Sequence, residues 1–319
     1  MPSAIRATHL RKVYPQAPPG VAALEDLTLE VPTGRVYGVI GRNGAGKTTF
    51  VRIAATQLAG TSGRIEVLGF DAEQDPRAVR QRIACVPQES RPLYFLRAGE
   101  VVFTYLTMRG MDRAEARRRT KDVLAELSLT EYEKRSVQRL SGGLRRRVLC
   151  AMVLASDADL LFLDEPTTGL DPIARREVWE AIRRTSREKR TLLLTTHYLD
   201  EAEALSARLA LFEKGRLMLE GTPGDLRGRV RYPYRVTIQG SVPAADLEGY
   251  GRVAEIEGGY LVFATEAHAR EVARLALERG ARLSMGPVSL EDIFLEVVGT
   301  SIETDTTPKN GEESTGEYA

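Results

Sequence analysis

The hydrophobic pattern changes period several times along the chain, and each change marks an element. In "SAIRATHLRKVY" and "AALEDLTLEV" apolar and polar residues alternate as on half-exposed strands, with the loop "PQAPPG" between them. "RVYGVIG" is an apolar run ending in glycine, the pattern of a buried parallel strand. A helix is expected from Gly46 to about Leu58, then the strand "GRIEVLGF", a short helix "PRAVRQRI" opened by Pro76, and the strand "IACVPQ" ending at Gln88. From Ala98 to Leu129 the period is helical, in two helices broken near "RGMDRAEA". Another helix opens at "LSGG" and runs through "VLCAMVLA". "ADLLFLDEP" and "RTLLLTTH" read as buried strands around the helix "PIARREVWEAIRRTSRE". The short helix "LDEAEAL" and the strand pair "RLALFEKGRLMLEG" close this part near Gly228. Unbroken apolar strands alternating with helices imply an α/β protein whose mainly parallel sheet is covered on both faces.

Beyond the basic linker "RGRVRYPYR" the rhythm shifts. Strands "YRVTIQG", "RVAEIEG" and "YLVFAT", the helix "EAHAREVARLALERGA", the strand "RLSMG" and the helix "LEDIFLEVV" suggest a small α+β unit of βαββαβ-like order. The final "TSIETDTTPKNGEESTGEYA" has almost no apolar side chains and is expected to be disordered. The expected division is therefore 1–229, with a helical segment at about 89–156, then 230–299, then a tail at 300–319.

Composition narrows the class. With 319 residues, 43% hydrophobic and 28% charged, the chain can bury a full core. Its net charge of +1 argues against a dedicated nucleic-acid binder. No stretch approaches the ~18–20 apolar residues that span a bilayer, and "MPSAIRATHLRK" has no apolar signal region. The expectation is a cytosolic chain, or one held at a membrane by another protein. Cys85 and Cys150 lie in apolar runs and read as buried, inert thiols. His9, His197 and His268 are scattered without metal-ligand spacing.

Chemistry concentrates in three places. Gly41, Gly46, Lys47 and Thr48 fit G-x-x-x-x-G-K-[ST] between a buried strand and a helix. Backbone N–H groups along Asn43, Gly44, Ala45 and Gly46 to Thr49 would wrap phosphates, Lys47 would reach the terminal ones, and the Thr48 hydroxyl would bind Mg²⁺. A glycine-rich turn that binds nothing would not need that strand and helix around it. Asp164 and Glu165 sit at the carboxyl end of a buried strand, where open α/β sheets place ligands. Asp164 would hold Mg²⁺ and Glu165 would orient and deprotonate a water; the plainer alternative is that both cap the turn "EPTTGLDP". Third, Ser141, Gly142 and Gly143 open a helix whose unpaired N–H groups suit an anion, a second phosphate cradle in one chain.

Taken together, "GRNGAGKTT", "LSGG" and "LFLDEPTTGLDP" resemble, in order and spacing, the ATP-binding subunit of ABC transporters over about the first 230 residues. The resemblance implies a P-loop NTPase with a mainly parallel core sheet, an antiparallel β subdomain and a helical signature subdomain. It also implies a head-to-tail dimer with ATP and Mg²⁺ between the P-loop of one subunit and the Ser141–Gly143 helix start of the other, which accounts for two cradles per chain. By the same resemblance Tyr14 would stack on adenine, although a half-exposed strand tyrosine is its plain alternative. Gln88 would sense Mg²⁺ and the attacking water, His197 would contact the γ-phosphate, and Asp171 would line the dimer interface. Leu144 stands where the family usually has glutamine. Leu144 followed by "RRRV", and "PVSLEDIFLEVVG" at Pro287 to Gly299, resemble the exporter branch that pairs the ATPase with separate membrane subunits and includes antibiotic, drug and lipid exporters. Arg145 to Arg147 have a plainer reading as a solvated helix face with some ion pairing.

The resemblance further implies a groove for a short helix of the membrane subunit in "ESRPLYFLRAGEVVFTYLTMRG", with Tyr94 and Phe95 as the contacts and Phe103 and Tyr105 equally suited to the core. The implied protein is a homodimeric MgATPase on the cytoplasmic face of the cell membrane, peripheral through its membrane subunits, without direct nucleic-acid contact. A soluble ABC ATPase of ribosomes or DNA is the alternative, opposed by the single motif set and the lack of a heptad run between Thr48 and Ser141. An importer subunit is opposed by the C-terminal resemblance.

Overall fold

Residues 3–15, 21–86, 95–240 and 242–298 are described by the computed structural model of the chain. The expectations for Gln88, Tyr94 and the tail fall outside these residues.

Alternating burial makes β1 (Ser3–Lys12) and β2 (Leu24–Pro32) an antiparallel ribbon. β3 (Val36–Ile40), buried at every position, opens the central sheet and leads into α1 (Lys47–Ala54). β4 (Ser62–Val67) and β5 (Phe70–Asp71) return to the first sheet, in the order β2-β1-β4-β5. α2 (Pro76–Arg82) and β6 (Ile83–Val86) follow, then the helices α3 (Ala98–Met108), α4 (Arg113–Glu126) and α5 (Gly142–Leu154). β7 (Leu160–Asp164), α6 (Pro172–Arg187), β8 (Thr191–Thr196), α7 (Leu199–Leu205), β9 (Arg208–Glu213), β10 (Arg216–Gly221) and α8 (Pro223–Arg227) complete the larger unit.

The central sheet has the order β10-β9-β3-β8-β7-β6, parallel except at β10. β8 therefore lies between β3 and β7, and the carboxyl ends of all three emerge side by side. One face of this sheet packs with the antiparallel sheet and α1 through Tyr37, Phe50, Phe162 and Phe212, the Phe50 and Phe212 rings meeting edge to face at 5.8 Å. The other face carries the helical segment through Val102, Leu106, Leu149, Leu161 and Leu194. The architecture is α/β, as its apolar pattern implies.

Two expected elements end early. α1 stops at Ala54 because Thr56 adopts φ +59° and is pinned there by Arg80, whose Nε donates to Oγ1 at 2.8 Å and Nη2 to the carbonyl at 3.0 Å. "GRIEVLGF" is two strands, since Leu68 and Gly69 both have positive φ and reverse the chain in a two-residue turn. α8 is a turn the pattern did not reveal; Thr222 and Asp225 cap each other's backbone N–H groups at 3.1 and 2.9 Å.

In the C-terminal part, β11 (Tyr234–Gln239), β12 (Gly251–Ile256), β13 (Gly259–Ala264), α9 (Glu266–Glu278), β14 (Arg282–Pro287) and α10 (Leu290–Val298) form a second α+β assembly. Its antiparallel order is β12-β13-β11-β14, covered by α9 through Val236, Val262, Ala269 and Val272. The first helix of a βαββαβ order is replaced by a single 3₁₀ turn at Ala244–Leu247, entered from Pro243. Val288, Leu290, Ile293 and Phe294 share a core with Leu199, Leu211 and Leu226, so α10 fastens this part to the larger unit.

Candidate active site

The loop after β3 is shaped by contacts only glycine permits. A Cβ on Gly41 would lie 2.4 Å from the Phe212 carbonyl oxygen. Gly46 has φ +101°, and a Cβ there would lie 2.5 Å from the Ala23 carbonyl oxygen. The loop delivers Lys47 as the first residue of α1, whose first turn has no acidic side chain to compete with an anion. A cavity of about 410 Å³ lies over this helix start, lined by Tyr14, Ala23, Asn43, Gly44, Ala45, Gly46, Lys47, Thr48, Thr49 and Glu165. Tyr14 hydroxyl and Thr49 Oγ1 are 3.2 Å apart, which holds the ring at the cavity wall.

Lys47 is buried, and its Nζ donates to the carbonyls of Gly41 at 2.7 Å and Arg42 at 3.1 Å. It lies 3.8 Å from Glu165 Oε1. Burial pulls its pKa below the ordinary lysine value, while the Glu165 and Asp164 carboxylates act against that shift. Lys47 is thus a desolvated cation facing a cavity, suited to a phosphate.

Asp164 ends β7. Its Oδ1 accepts from Thr195 Oγ1 and, at 3.3 Å, from Thr48 Oγ1. Burial raises its pKa. A hydroxyl and a carboxylate on one edge form a hard-oxygen donor pair. Among the described residues no cluster of three His, Cys, Asp or Glu makes a complete metal cage. Two protein oxygens suit Mg²⁺, which takes one or two protein ligands and fills its shell with phosphate and water. The residues present fit that ion.

Glu165 follows in the left-handed region at φ +49°, a conformation a non-glycine residue keeps only where its surroundings fix it. Its N–H donates to the Thr195 carbonyl at 3.0 Å and to Thr195 Oγ1 at 3.1 Å. Thr168 Oγ1 donates to Oε2 at 3.2 Å, and Oε1 lies 3.4 Å from His197 Nδ1. Burial pushes its pKa up, but His197, the Lys47 charge and Thr168 outweigh that and hold it below the ordinary glutamate value. The structure thus brings together Lys47, Thr48, Asp164, Glu165 and His197. Their adjacency follows from the strand order β3-β8-β7.

Ser141, Gly142, Gly143 and Asp171 do not line this cavity. Ser141 caps α5, its Oγ accepting from Leu144 N–H at 3.3 Å, and Asp171 caps α6 by accepting from Ile173 and Ala174 N–H, both at 3.0 Å. Ser141 and Asp171 are exposed, as is Ile173 beside Asp171. Phe95 is 79% exposed, whereas Phe103 and Tyr105 pack against the core. Cys150 is buried and Cys85 half-buried, with burial pushing their thiols up to about 11 and about 12.

Five residues carry more than their sequence signals suggested. Arg145, Arg146 and Arg147 are half-buried, not a solvated face: Arg145 donates to the carbonyls of Val137 and Gln138, Arg146 to those of Asp164, Glu165 and Pro166, and Arg147 pairs with Glu177 at 2.6 Å. Tyr198 stacks on His197 with ring centroids 4.1 Å apart, and the Arg175 guanidinium lies 4.1 Å from the Tyr198 centroid. Glu201 is fully buried; its Oε1 accepts from Thr167 Oγ1 at 2.8 Å and Trp179 Nε1 at 2.9 Å. The available signal for Glu201 was its place four residues before Leu205, on the apolar face of "LDEAEAL".

Known proteins resemble this chain in sequence and in fold. A sequence model of the family described as "ABC transporter" matches residues 24–168. The daunorubicin/doxorubicin resistance ATP-binding protein DrrA of Streptomyces peucetius is 35% identical, over 97% of this chain and 97% of its own. The Nod factor export ATP-binding protein I of Rhizobium etli is 35% identical over 88% of this chain and 90% of its own. Among solved structures, an ATP-binding subunit of an ABC transporter superposes with TM-score 0.65 at 26% identity, over 71% of this chain and 93% of that one. An ATP-binding cassette solved as a dimer with ADP and Pi has TM-score 0.63 at 22% identity, over 68% and 98%, a likeness of fold.

Proposed function

The chain belongs to the ABC transporter family as an ATP-binding, ATP-hydrolysing subunit, and on that premise we propose that it powers export as a head-to-tail homodimer on membrane subunits encoded separately. The observation that carries this reading is the split between two phosphate cradles. Lys47, Thr48 and Glu165 line one cavity, with Asp164 joined to it through Thr48, while the Ser141 helix start stands outside it, exposed. A chain with half a site at each place is completed by a second copy.

In this reading the loop Gly41–Thr49 and Lys47 bind the β- and γ-phosphates, and Tyr14 stacks on adenine. Thr48 and Asp164 would hold Mg²⁺, which when bound neutralises charge on the β- and γ-phosphate oxygens. Glu165, kept anionic by Lys47 and His197, takes the proton of the attacking water. His197 holds the Glu165 carboxylate and reaches toward the γ-phosphate, and Gln88 takes from the family resemblance the role of sensing Mg²⁺ and the attacking water. Ser141, Gly142 and Gly143 bind the partner's ATP, and Asp171 lies in the interface. Closure on ATP and reopening after hydrolysis drive the membrane subunits, with the γ-phosphate as the bistable contact.

Similarity to DrrA over nearly the whole of both chains, the C-terminal part included, supports an exporter over an importer. One relative is named for daunorubicin/doxorubicin resistance and another for Nod factor export, which supports export as the direction of transport. Among the described residues no helix is long and apolar enough to cross a membrane. Phe95, with Tyr94 before it, is the proposed contact for the membrane subunits. Tagged Glu165→Gln chain, used as bait in detergent extracts of the native membrane with MgATP, is expected to recover an integral membrane protein in near-equal amount. Recovery of ribosomes or DNA-bound factors instead would overturn the transporter reading.

A further inference from the structure

One face of α5 is devoted to the loop that carries Asp164 and Glu165. A Cβ on Gly143 would lie 3.2 Å from Leu170 Cδ2, Arg146 donates to the loop's carbonyls, and the Cys150 thiol lies 3.8 Å from the Pro166 carbonyl oxygen. The spacing of three and then four residues places these contacts in a single stripe along the helix. Arg146 dominates the stripe. Its Nη2 donates to the carbonyls of Asp164 and Glu165, the latter at 2.7 Å, and its Nε to that of Pro166 at 3.4 Å. A guanidinium is suited to this because its donors are fixed in a rigid planar fork.

The backbone it holds is the strained one. Glu165, at φ +49°, has its N–H fixed by Thr195 and its carbonyl by Arg146, so the two together fix the backbone from which the carboxylate projects. Five residues before Arg146 on the same helix stands Ser141, the start of the cradle that in the dimer reading above receives the partner's ATP. We propose that Arg146 is a positioning residue that couples the two ATP sites of the dimer: occupation of the Ser141–Gly143 cradle by one nucleotide sets, through α5 and Arg146, the Glu165 carboxylate that hydrolyses the other. The proposal rests on the head-to-tail dimer, and linkage makes any coupling in binding reciprocal.

The test compares full-length wild type, Arg146→Ala and Arg146→Lys. ATP hydrolysis is followed against ATP concentration, with binding of a fluorescent ATP analogue and thermal melting measured alongside. For Arg146→Ala the expected result is a kcat lowered roughly 10- to 100-fold with nucleotide affinity little changed. The Hill coefficient falls from above 1 in wild type to about 1. Arg146→Lys, a single ammonium in place of the fork, regains part of both. Wild-type kcat in Arg146→Ala overturns the proposal. So does a lowered kcat with undiminished cooperativity, which would leave Arg146 holding Glu165 without linking the sites. Should melting show Arg146→Ala unfolded, Arg146→Lys decides, and wild-type cooperativity in that variant overturns the coupling. A wild-type protein without ATP hydrolysis, or hydrolysing without cooperativity, would instead count against the dimer reading itself.

Discussion

Two glutamates lie buried at neighbouring ends of the central sheet, and their surroundings push them in opposite directions. Glu165, after β7, faces the Lys47 ammonium and His197, and its pKa is lowered in spite of burial. Glu201, in α7, is more deeply buried, and burial raises its pKa against the neutral donors bonded to it and the weaker pull of the Arg175 charge. Its Oε1 is bonded by Thr167 and Trp179, while Oε2 has no hydrogen-bond partner among the described residues. The first opens onto the cavity over the start of α1. The second ties the loop after Glu165 to α6 and α7 and reaches no cavity described around the P-loop. Depth of burial therefore does not separate the carboxylate we assign to hydrolysis from the one that ties elements together. What separates them is a cation in close contact, Lys47 at 3.8 Å from Glu165, and an opening onto a cavity.

The largest effect should come from Glu165. Glu165→Gln keeps the shape and most contacts, so steady-state ATP hydrolysis should fall by roughly 10²–10⁴ while ATP binding and melting stay close to wild type. Normal turnover would remove Glu165 from the base role and collapse the contrast. Next comes Glu201→Ala, which leaves Thr167 and Trp179 donors unpaired in a tight interior. A loss of about 1–3 kcal/mol in urea unfolding is expected for each donor left unsatisfied, with the residual activity per folded molecule retained. A purely catalytic defect there would reverse the assignment.

The smallest and most diagnostic effect is in pH. Glu201 has a raised pKa in the folded chain, so above its ordinary value of 4.5 the unfolded chain loses a proton that the folded one keeps. Its contribution is complete below that value and is lost as pH rises toward the folded pKa. Glu165 has a lowered pKa, so its contribution is present above 4.5 and is lost as pH falls through the folded value. Glu201→Gln should therefore flatten the stability profile on the side above pH 4.5, and Glu165→Gln on the acid side. Urea midpoints across pH 3.5 to 7 (about the range spanned by ordinary and shifted carboxylates) would show the two slopes, and identical profiles would contradict the contrast.

Much of this was legible in the chain, for physical reasons that differ by element. Continuous apolar runs at β3, β7 and β8 can only be central parallel strands, and glycines at Gly41 and Gly46 announce backbone approach that no side chain would survive. Asp164, Glu165 and His197 stand at strand ends and Lys47 and Thr48 open the helix that follows β3, so the sheet order and the loop after β3 gather them. What stayed hidden depends on tertiary partners. The early stop of α1 needs Arg80 from another helix, and the reversal at Leu68 and Gly69 lies within an otherwise strand-like run. Arg146 looks like one of three surface arginines until the Asp164–Pro166 backbone is placed beside it. Glu201 looks like an ordinary helix acid until Trp179 and Thr167 close over it.

The central claim is that each chain supplies half of two ATP sites. It is tested most directly by the mass of purified Glu165→Gln protein in solution, measured by light scattering with and without MgATP. The account predicts a monomer without nucleotide, a stable dimer with MgATP, and return to monomer when Ser141→Arg blocks the second cradle. A monomer under all conditions, or a dimer indifferent to both nucleotide and Ser141, would contradict it.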